Sequence, residues 1–320
     1  MSLTRRAMIL GLAGTGLFAT QTKAAGVQID GGLAFGSSWR ITADDTVDLA
    51  TLRPDLESVF NEIDAQMSPY RARSPLSVFN TGRGRAWHNM PTPVCFVASE
   101  ALRIARLTNG AFDPTVGPLV SRFGFGPIEG GFGNHTGIEV SGNTLRKAAP
   151  DLTMDLCGIA KGYALDRIAE TLGRAGVGSA LIEVGGEVKA LGRHPGGRQW
   201  AVAIGDPTAF AFQPYRVVTP GEYALATSGH SANGLSGPVT TSHIINPHLR
   251  QPATTDLASV SVLARTGIEA DAFATALCAA GKEKGIALAQ RLNISAMFVA
   301  RSNAGPSDIM TGRFLEHVLV

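Results

Sequence analysis

Apolar residues along the chain follow two spacings, and the change from one to the other separates helices from strands. Between residues 46 and 67 they recur every three or four positions, which predicts an amphipathic helix, with Pro54 either splitting it or marking its first turn. The same spacing predicts helices at 95–108, 160–172, 268–280 and 283–292. Short apolar runs predict strands at 39–42, 152–156, 180–184, 188–191, 200–204, 217–218, 223–226, 243–245, 258–263 and 296–300. Because hairpins and helices do not alternate strictly, the pattern predicts an α+β fold.

Glycines mark the ends of several of these segments. Asn109 and Gly110 are expected to end the second helix, and Gly173 and Gly281 are expected to end the third and fourth. Residues 123–143 are rich in glycine and aromatic residues, which predicts a long loop.

The first 25 residues have the pattern of an export signal. Arg5 and Arg6 precede a weakly apolar stretch at 7–20, and small residues at 24–25 suit cleavage. The arginine pair and Lys23 favour the twin-arginine route, and the alternative is an ordinary secretory signal. The sequence therefore predicts a cleaved signal at 1–25 and one domain at 26–320, in a soluble periplasmic protein of bacterial type.

Composition narrows the class of protein. The 320 residues contain 28 Lys and Arg against 26 Asp and Glu, a net charge of +2, and removal of Arg5, Arg6 and Lys23 with the signal leaves −1. This balance argues against a nucleic-acid partner, which needs a strongly basic surface. Three cysteines cannot form a disulfide framework. The 38 glycines exceed the usual share of about 7%, which indicates many tight turns and close approaches of backbone to a ligand.

Common catalytic motifs are absent, including the phosphate-binding P-loop, the zinc-protease helix and the nucleophile elbow. Two proline-containing clusters remain in the first half of the chain. Tyr70 follows a helix in a proline-containing turn, where its ring either stacks on a planar ligand or covers the helix end. Asp113 lies before a proline within 109–118, and it is either a turn former or a hydrogen-bond partner of a ligand.

Three further clusters lie in the second half. Residues 155–163 join a predicted strand to a helix. Backbone amides and Lys161 can meet a phosphate there, or the glycines simply allow close packing of the strand on the helix. Cys157 is expected to be a buried small residue. The turn at 226–229 offers hydroxyl groups to an oxyanion, and His243 is either a general base or a structural residue of a strand.

The last cluster is on an alanine-rich helix. Asp271 and Thr275 are four residues apart, so both oxygens lie on one face. They are either oxygen ligands of Mg²⁺ or Ca²⁺ or partners in a structural hydrogen bond.

Taken together and in this order, the five clusters resemble the ApbE family of flavin transferases over residues 35–299. The resemblance implies a single α+β domain related to the T-fold, with mixed sheets and packed helices. It also implies an enzyme that cleaves FAD in the presence of Mg²⁺, attaches FMN to a Ser or Thr hydroxyl of a partner protein and releases AMP. With the export signal, it implies a partner from a respiratory or electron-transfer system.

The resemblance assigns roles to particular residues. It implies His243 as the group that assists the acceptor hydroxyl. It implies a metal held by the backbone oxygen of Ala160 and the side chains of Asp271 and Thr275. The implied FAD-binding residues are Phe35, Tyr70, Ala111, Phe112, Asp113, Lys161, Thr227 and Ser228.

The sequence also departs from the family pattern. Residues 35–37 stand where Met-Gly-Thr is usual, Cys157 where Gly or Ser is common, and 230–233 where an aromatic-containing turn is usual. The segment 246–252 lacks the usual Asp-Pro. Two other functions therefore remain open, namely a metal-dependent FAD pyrophosphatase that uses water as the acceptor and a non-catalytic flavin-binding assembly factor.

Overall fold

The computed structural model describes residues 22–24, 26–131, 133–209, 211–230, 242–253, 257–302 and 305–320. The predicted export signal lies almost wholly outside these residues. Among the helices that are described, none has both the length and the apolar character needed to cross a membrane.

Sixteen strands and seven α-helices make up the described fold. The helices are α1 (Leu49–Met67), α2 (Pro75–Thr81), α3 (Thr92–Leu107), α4 (Gly117–Arg122), α5 (Ala160–Arg174), α6 (Gly267–Ala280) and α7 (Lys282–Arg291). The first eight strands are β1 (Thr22–Ala24), β2 (Val27–Ala34), β3 (Ser37–Asp44), β4 (His88–Asn89), β5 (Ile138–Ser141), β6 (Thr144–Lys147), β7 (Ala180–Val184) and β8 (Glu187–Leu191). The other eight are β9 (Val202–Gly205), β10 (Pro214–Val218), β11 (Ala224–Gly229), β12 (Ile245–Asn246), β13 (Gln251–Pro252), β14 (Leu257–Ala264), β15 (Ser295–Ala300) and β16 (Ser307–Thr311).

One large sheet organises the fold. Its nine strands run in the order β1-β2-β3-β7-β8-β11-β14-β15-β16, and three small sheets contain β9 and β10, β12 and β13, and β4 to β6. The predicted α+β class is confirmed. Every strand pairing in the described parts of the chain is antiparallel, so the expectation of mixed strand directions is wrong. The strands follow one another through hairpins and helical excursions that return the chain antiparallel to its neighbour.

Both faces of the large sheet are covered at its centre. All residues of β14 from Leu257 to Leu263 are buried. Val260 and Val262 belong to the main core, which includes the helices, whereas Leu263 belongs to a second core with Phe314. A strand buried on both sides has little freedom to shift its register, because a one-residue slip would exchange its faces. The register of β11 and β14 is therefore fixed where α6 packs on them.

Two glycines allow α5 and α6 to cross closely. A Cβ on Gly162 would lie 2.1 Å from the carbonyl oxygen of Gly267, and a Cβ on Gly267 would lie 2.5 Å from that of Gly162. Real side chains do not tolerate such distances, so the crossing requires glycine at both positions. This contact brings the N-terminal turns of both helices together.

Most of the predicted helices and strands are confirmed, with boundaries shifted by a few residues. Pro54 lies within an uninterrupted α1, which begins after an Asp48 cap that accepts the amides of Ala50 and Thr51. Asn109 and Gly110 adopt left-handed conformations after α3, and Gly281 does so after α6, as predicted. Gly173 does not end α5, which continues to Arg174.

The predicted strand at 152–156 is wrong because other partners take its backbone hydrogen bonds. The side-chain amide of Asn80 accepts from the amide of Met154 at 2.8 Å and donates to its carbonyl at 2.8 Å. The amide of Asp155 donates to the carbonyl of Pro114 at 2.6 Å. The segment is therefore irregular and joined to α2 and to the loop 109–118.

Two further predictions need correction. The expected loop at 123–143 contains β5, which pairs with β6 across a turn in which Gly142 has a φ of 53°. The expected strand at 243–245 is reduced to β12, and His243 precedes it. Its pairing with β13 is too short to extend the strand back to the histidine.

Candidate functional site

The closest approach of α5 and α6 positions a buried carboxylate. Asp271 is 3% exposed, and its Oδ2 accepts the backbone amide of Gly162 at 2.9 Å. Burial raises the pKa of Asp271, while the nearby Lys161 ammonium and the Gly162 amide oppose that rise. A buried carboxylate is costly unless cations or hydrogen-bond donors face it, which makes this position suited to a cation.

Thr275 lies one turn after Asp271 on the same face of α6. Its hydroxyl is 3.3 Å from the hydroxyl of Ser228 at the end of β11. A Cβ on Gly158 would lie 3.4 Å from the same Thr275 oxygen and 3.3 Å from the ring of Phe112. The turn before α5, the end of β11 and Phe112 therefore meet around Thr275.

Thr227 is separated from Ser228 by the sheet itself. Side chains alternate across a strand, and Ala224 and Ala226 of β11 pack in the main core with the helices, on the side of Ser228. Thr227 points to the other face with Leu225 and hydrogen-bonds the Ser261 hydroxyl at 2.8 Å. The structure therefore does not bring the Thr227 side chain to the group around Thr275.

Lys161 forms an ion pair with a buried carboxylate, which the sequence analysis missed. Its ammonium donates to Oε1 of Glu187, which is 2% exposed, at the start of β8. Burial raises the pKa of Glu187, an effect that the Lys161 charge opposes. Burial alone would lower the pKa of Lys161, but the Glu187 and Asp271 carboxylates raise it overall. The available signal was a carboxylate directly after Gly185 and Gly186, at the first position of β8.

The turn between β2 and β3 approaches the same lysine. A Cβ on Gly185, whose φ is 62°, would lie 3.0 Å from Cδ of Lys161 and 3.6 Å from Cβ of Ser37. Phe35 also adopts a positive φ of 54°, and its ring packs edge-on against Phe60 at 5.8 Å between centroids. The ring thus packs on a residue of the main core, while its turn borders the Lys161 region.

Tyr70 presents an exposed ring next to the site. It is 69% exposed, and its hydroxyl donates to the carbonyl of Phe125 at 3.1 Å. Partial desolvation, followed by the nearby acidic groups of Cys157 and Asp155, raises its pKa. A ring held at its hydroxyl end and largely exposed is available to stack on a planar ligand.

Cys157 reaches the surface, so the expectation that it is buried is wrong. Desolvation and the neighbouring Asp155 carboxylate raise its pKa well above the ordinary value for a thiol. Cys157 is therefore a neutral thiol near neutral pH rather than an activated nucleophile.

Both oxygens of the Asp113 carboxylate already accept hydrogen bonds from nearby residues. Oδ1 accepts the Thr115 amide at 2.8 Å and the Thr115 hydroxyl at 2.7 Å, and Oδ2 accepts the His135 amide at 3.1 Å. This is the turn-forming role that the sequence left open. Ala111 and Phe112 are both buried in the main core, at 5% and 4% exposure.

His243 lies beside Phe125, with 6.0 Å between ring centroids. Its Nδ1 is buried and has no hydrogen-bond partner among the described residues. Desolvation, followed by the neighbouring His230 and the Lys161 charge, lowers its pKa to about 4. The imidazole is therefore neutral at physiological pH, the form that can accept a proton.

The possible cation donors are oxygens of different kinds. The described residues contain no group of three or more His, Cys, Asp or Glu side chains arranged for a metal ion. Asp271, Thr275 and the carbonyl of Ala160 instead offer a carboxylate, a hydroxyl and a backbone oxygen. Such a set fits Mg²⁺, which prefers oxygen and is commonly held by one or two carboxylates together with substrate phosphates.

The fold and this site define a known class of protein. The family model of the ApbE family matches residues 35–298. The chain therefore belongs to the ApbE family.

Two relatives are bacterial FAD:protein FMN transferases. An FAD:protein FMN transferase of Vibrio cholerae is 35% identical over 282 residues, which cover 83% of this chain and 84% of that protein. One of Salmonella typhimurium is 30% identical over 317 residues, covering 92% and 90%.

Solved structures agree in fold. The flavin transferase ApbE from Vibrio cholerae superposes with a TM-score of 0.81 at 31% identity, covering 91% of this chain and 99% of that one. The flavinyl transferase ApbE of Pseudomonas stutzeri in its apo form gives 0.81 at 31% identity, covering 95% and 98%.

Proposed function

We propose that this protein is an FAD:protein FMN transferase. The observation that carries the proposal is the meeting of Asp271, Thr275 and Ser228 with the N-terminal turn of α5 and the partly exposed Lys161. A helix N-terminus and an ammonium group attract phosphate, and the acidic and hydroxyl oxygens opposite them suit a cation. The pyrophosphate of FAD would contact the helix N-terminus and Lys161 on one side and the bound cation on the other.

The flavin end of FAD would lie toward Tyr70. The exposed ring of Tyr70 borders Asp155 and Cys157, which lie directly before α5. Phe112 and the turn at 35–37 border the same region from other sides. An aromatic ring beside the phosphate-binding turn orients the isoalloxazine while the pyrophosphate is held, and positioning is the main contribution an enzyme makes to phosphoryl transfer.

We propose Mg²⁺ as the cation, held by Asp271, Thr275 and the backbone oxygen of Ala160. When bound, it would neutralise charge on the pyrophosphate oxygens. Lys161 contributes a second, permanent positive charge, because the Glu187 carboxylate stabilises its protonated form. The burial of Asp271 supports this assignment, since its ionised form gains from a cation.

The transfer step needs a base for the acceptor. The hydroxyl oxygen of a Ser or Thr of the acceptor protein attacks the phosphorus of the FMN half, and the bond from that phosphorus to the bridging oxygen breaks. AMP leaves with that oxygen. His243 takes the hydroxyl proton, for which its neutral form is required.

The site of action follows from the N-terminal sequence. We propose that the pattern of Arg5, Arg6 and the apolar stretch at 7–20 directs export to the periplasm. An acceptor on the outer side of the inner membrane would belong to a respiratory or electron-transfer system, because such systems use covalently bound flavin.

One experiment separates transfer from its alternatives. The purified protein is mixed with FAD and Mg²⁺, with and without an acceptor protein that carries a flavinylation site. We expect a fluorescent covalent adduct with a mass increase of one FMN and equimolar AMP, only when the acceptor is present. Rapid FMN and AMP formation without acceptor would instead show a pyrophosphatase, and FAD binding without any cleavage would show a binding protein.

A further inference from the structure

The residue before His243 belongs to a buried chain of hydrogen-bonding side chains. His230, at the end of β11, places Nδ1 2.6 Å from the hydroxyl of Ser242 and Nε2 3.7 Å from the sulfur of Cys278 on α6. The Ser242 hydroxyl oxygen also accepts the amide of Ile244 at 3.0 Å. All three linked side chains are buried, at 7%, 5% and 0% exposure. We refer to His230, Ser242 and Cys278 as the histidine bridge.

The bridge is complete with a neutral imidazole. Desolvation and the Arg301 charge lower the pKa of His230. Burial raises the pKa of Cys278 to about 12, so that residue keeps its thiol proton. Either neutral tautomer then uses both ring nitrogens. In one, Ser242 donates to Nδ1 and Nε2 donates to sulfur, and in the other both bonds are reversed.

The bridge connects the segment that carries His243 to the helix that carries the cation-binding pair. Ser242 precedes His243 directly and is fixed by Ile244 on its other side. Cys278 lies three residues after Thr275 and seven after Asp271, so all three share one face of α6. The His243 ring itself lies against Phe125, whose carbonyl accepts from Tyr70. The backbone before His243 and the ring of His243 are thus each held by an anchored element.

We infer that His230 and Ser242 are positioning residues, which fix His243 relative to Asp271 and Thr275 for proton removal from the acceptor. The inference rests on the proposed function. His230 belongs to the segment 230–233, where the sequence departs from the usual family pattern, so the bridge is a feature of this chain's own residues. A general base must be held within hydrogen-bond reach of the proton it accepts, and even a small displacement lowers the reaction rate.

The first test compares two buried serines. Ser242→Ala removes the centre of the bridge, whereas Ser259→Ala removes a hydroxyl on β14 that has no hydrogen-bond partner within the described part of the chain. We expect Ser242→Ala to lower kcat for FMN transfer about tenfold, in the range of roughly 10- to 100-fold known for supporting partners of site residues. The KM for FAD and its dissociation constant should stay unchanged. Ser259→Ala should keep the original kcat.

A double-variant test separates positioning from general support of the fold. In a His243→Ala background, adding Ser242→Ala should cause no further loss of kcat, because the residue to be positioned is absent. Cys278→Ala, at the other end of the bridge, should lower kcat in the same direction in the original background and not in the His243→Ala background. Thermal unfolding of each variant would verify that it is folded.

Two results would overturn the inference. One is an unchanged kcat in folded Ser242→Ala and Cys278→Ala. The other is a loss that multiplies with that of His243→Ala, which would show a role independent of the histidine. Failure of the proposed function would look different, since the original protein would then transfer no FMN to the acceptor or His243→Ala would transfer it at the full rate.

Discussion

Two buried aspartates in this molecule illustrate the difference between a structural and a functional carboxylate. Asp113 accepts hydrogen bonds from Thr115 and His135, within or beside its own loop. Asp271 accepts the Gly162 amide across 109 residues of sequence and borders Lys161. The first carboxylate closes a turn with its own neighbours, whereas the second lies where two helices and a strand end meet. Partner identity, rather than burial, therefore distinguishes the two.

The largest expected effect concerns these two residues directly. Asp271→Asn should lower kcat for FMN transfer by more than the roughly 10- to 100-fold typical of losing an outer partner of a metal ligand, since the ligand charge itself is lost. Asp113→Asn, which keeps an acceptor oxygen for Thr115, should change kcat much less. Steady-state transfer rates at saturating FAD measure both. Equal losses in the two variants would remove the distinction.

Removal of the cation should lower the rate of FMN transfer, as should Asp271→Asn. EDTA should abolish transfer, and added Mg²⁺ should restore it, because the pyrophosphate charge is otherwise only partly neutralised. FAD binding, followed by flavin fluorescence with and without Mg²⁺, checks this apart from turnover. Full transfer in EDTA by protein shown to be metal-free would contradict the cation assignment.

A second comparison lies within α5. Gly162→Ala would place a methyl group 2.1 Å from the Gly267 carbonyl oxygen, so we expect destabilisation of about 1–3 kcal/mol and weaker cation binding at Asp271. Gly173 has open space around it in the same helix, and Gly173→Ala should stabilise the protein by about 0.5–1 kcal/mol. Denaturant unfolding measures both changes. A neutral Gly162→Ala would show that the helix crossing is not tightly constrained.

Loss of the whole Asp113 side chain should affect stability more than chemistry. Asp113→Ala leaves the Thr115 and His135 amides without their acceptor, which should cost about 1–3 kcal/mol. Transfer by the folded fraction should continue. Chemical denaturation alongside an activity assay separates these outcomes, and an inactive but fully stable variant would assign Asp113 to the chemistry.

The smallest expected effect is on pH dependence. With a pKa lowered to about 4, His243 keeps its basic form down to that pH, so transfer should not fall as the pH drops through the ordinary value of 6.5. The neutral form that folding favours contributes stability above pH 6.5, and this contribution is lost as the pH falls from 6.5 toward 4. A pH profile of kcat/KM tests the first statement. An acid limb near 6.5 that disappears in His243→Ala would contradict it.

The comparison also shows where local patterns mislead. The run 152–156 has strand-like composition, but Asn80 and Pro114 take its hydrogen bonds and keep it irregular. Thr227 and Ser228 are neighbours in one turn motif, yet the pleat of β11 sends them to opposite faces. In the first case the outcome depends on partners that are distant in sequence, and in the second it depends on the alternation of side chains along a strand.

The sequence by itself determined the α+β class, most helices and strands, and the ordered clusters that indicate the family. These features depend on periodicity and on residues close together in the chain. Only the tertiary structure decided that Glu187 pairs with Lys161, that Asp113 closes a turn and that His230 links Ser242 to Cys278. Each of these depends on the crossing of α5 and α6 over β11 and β8 or on a loop folding back. Such long-range contacts decide whether a buried polar group has a hydrogen-bonding or charged partner, and a local sequence pattern does not reveal them.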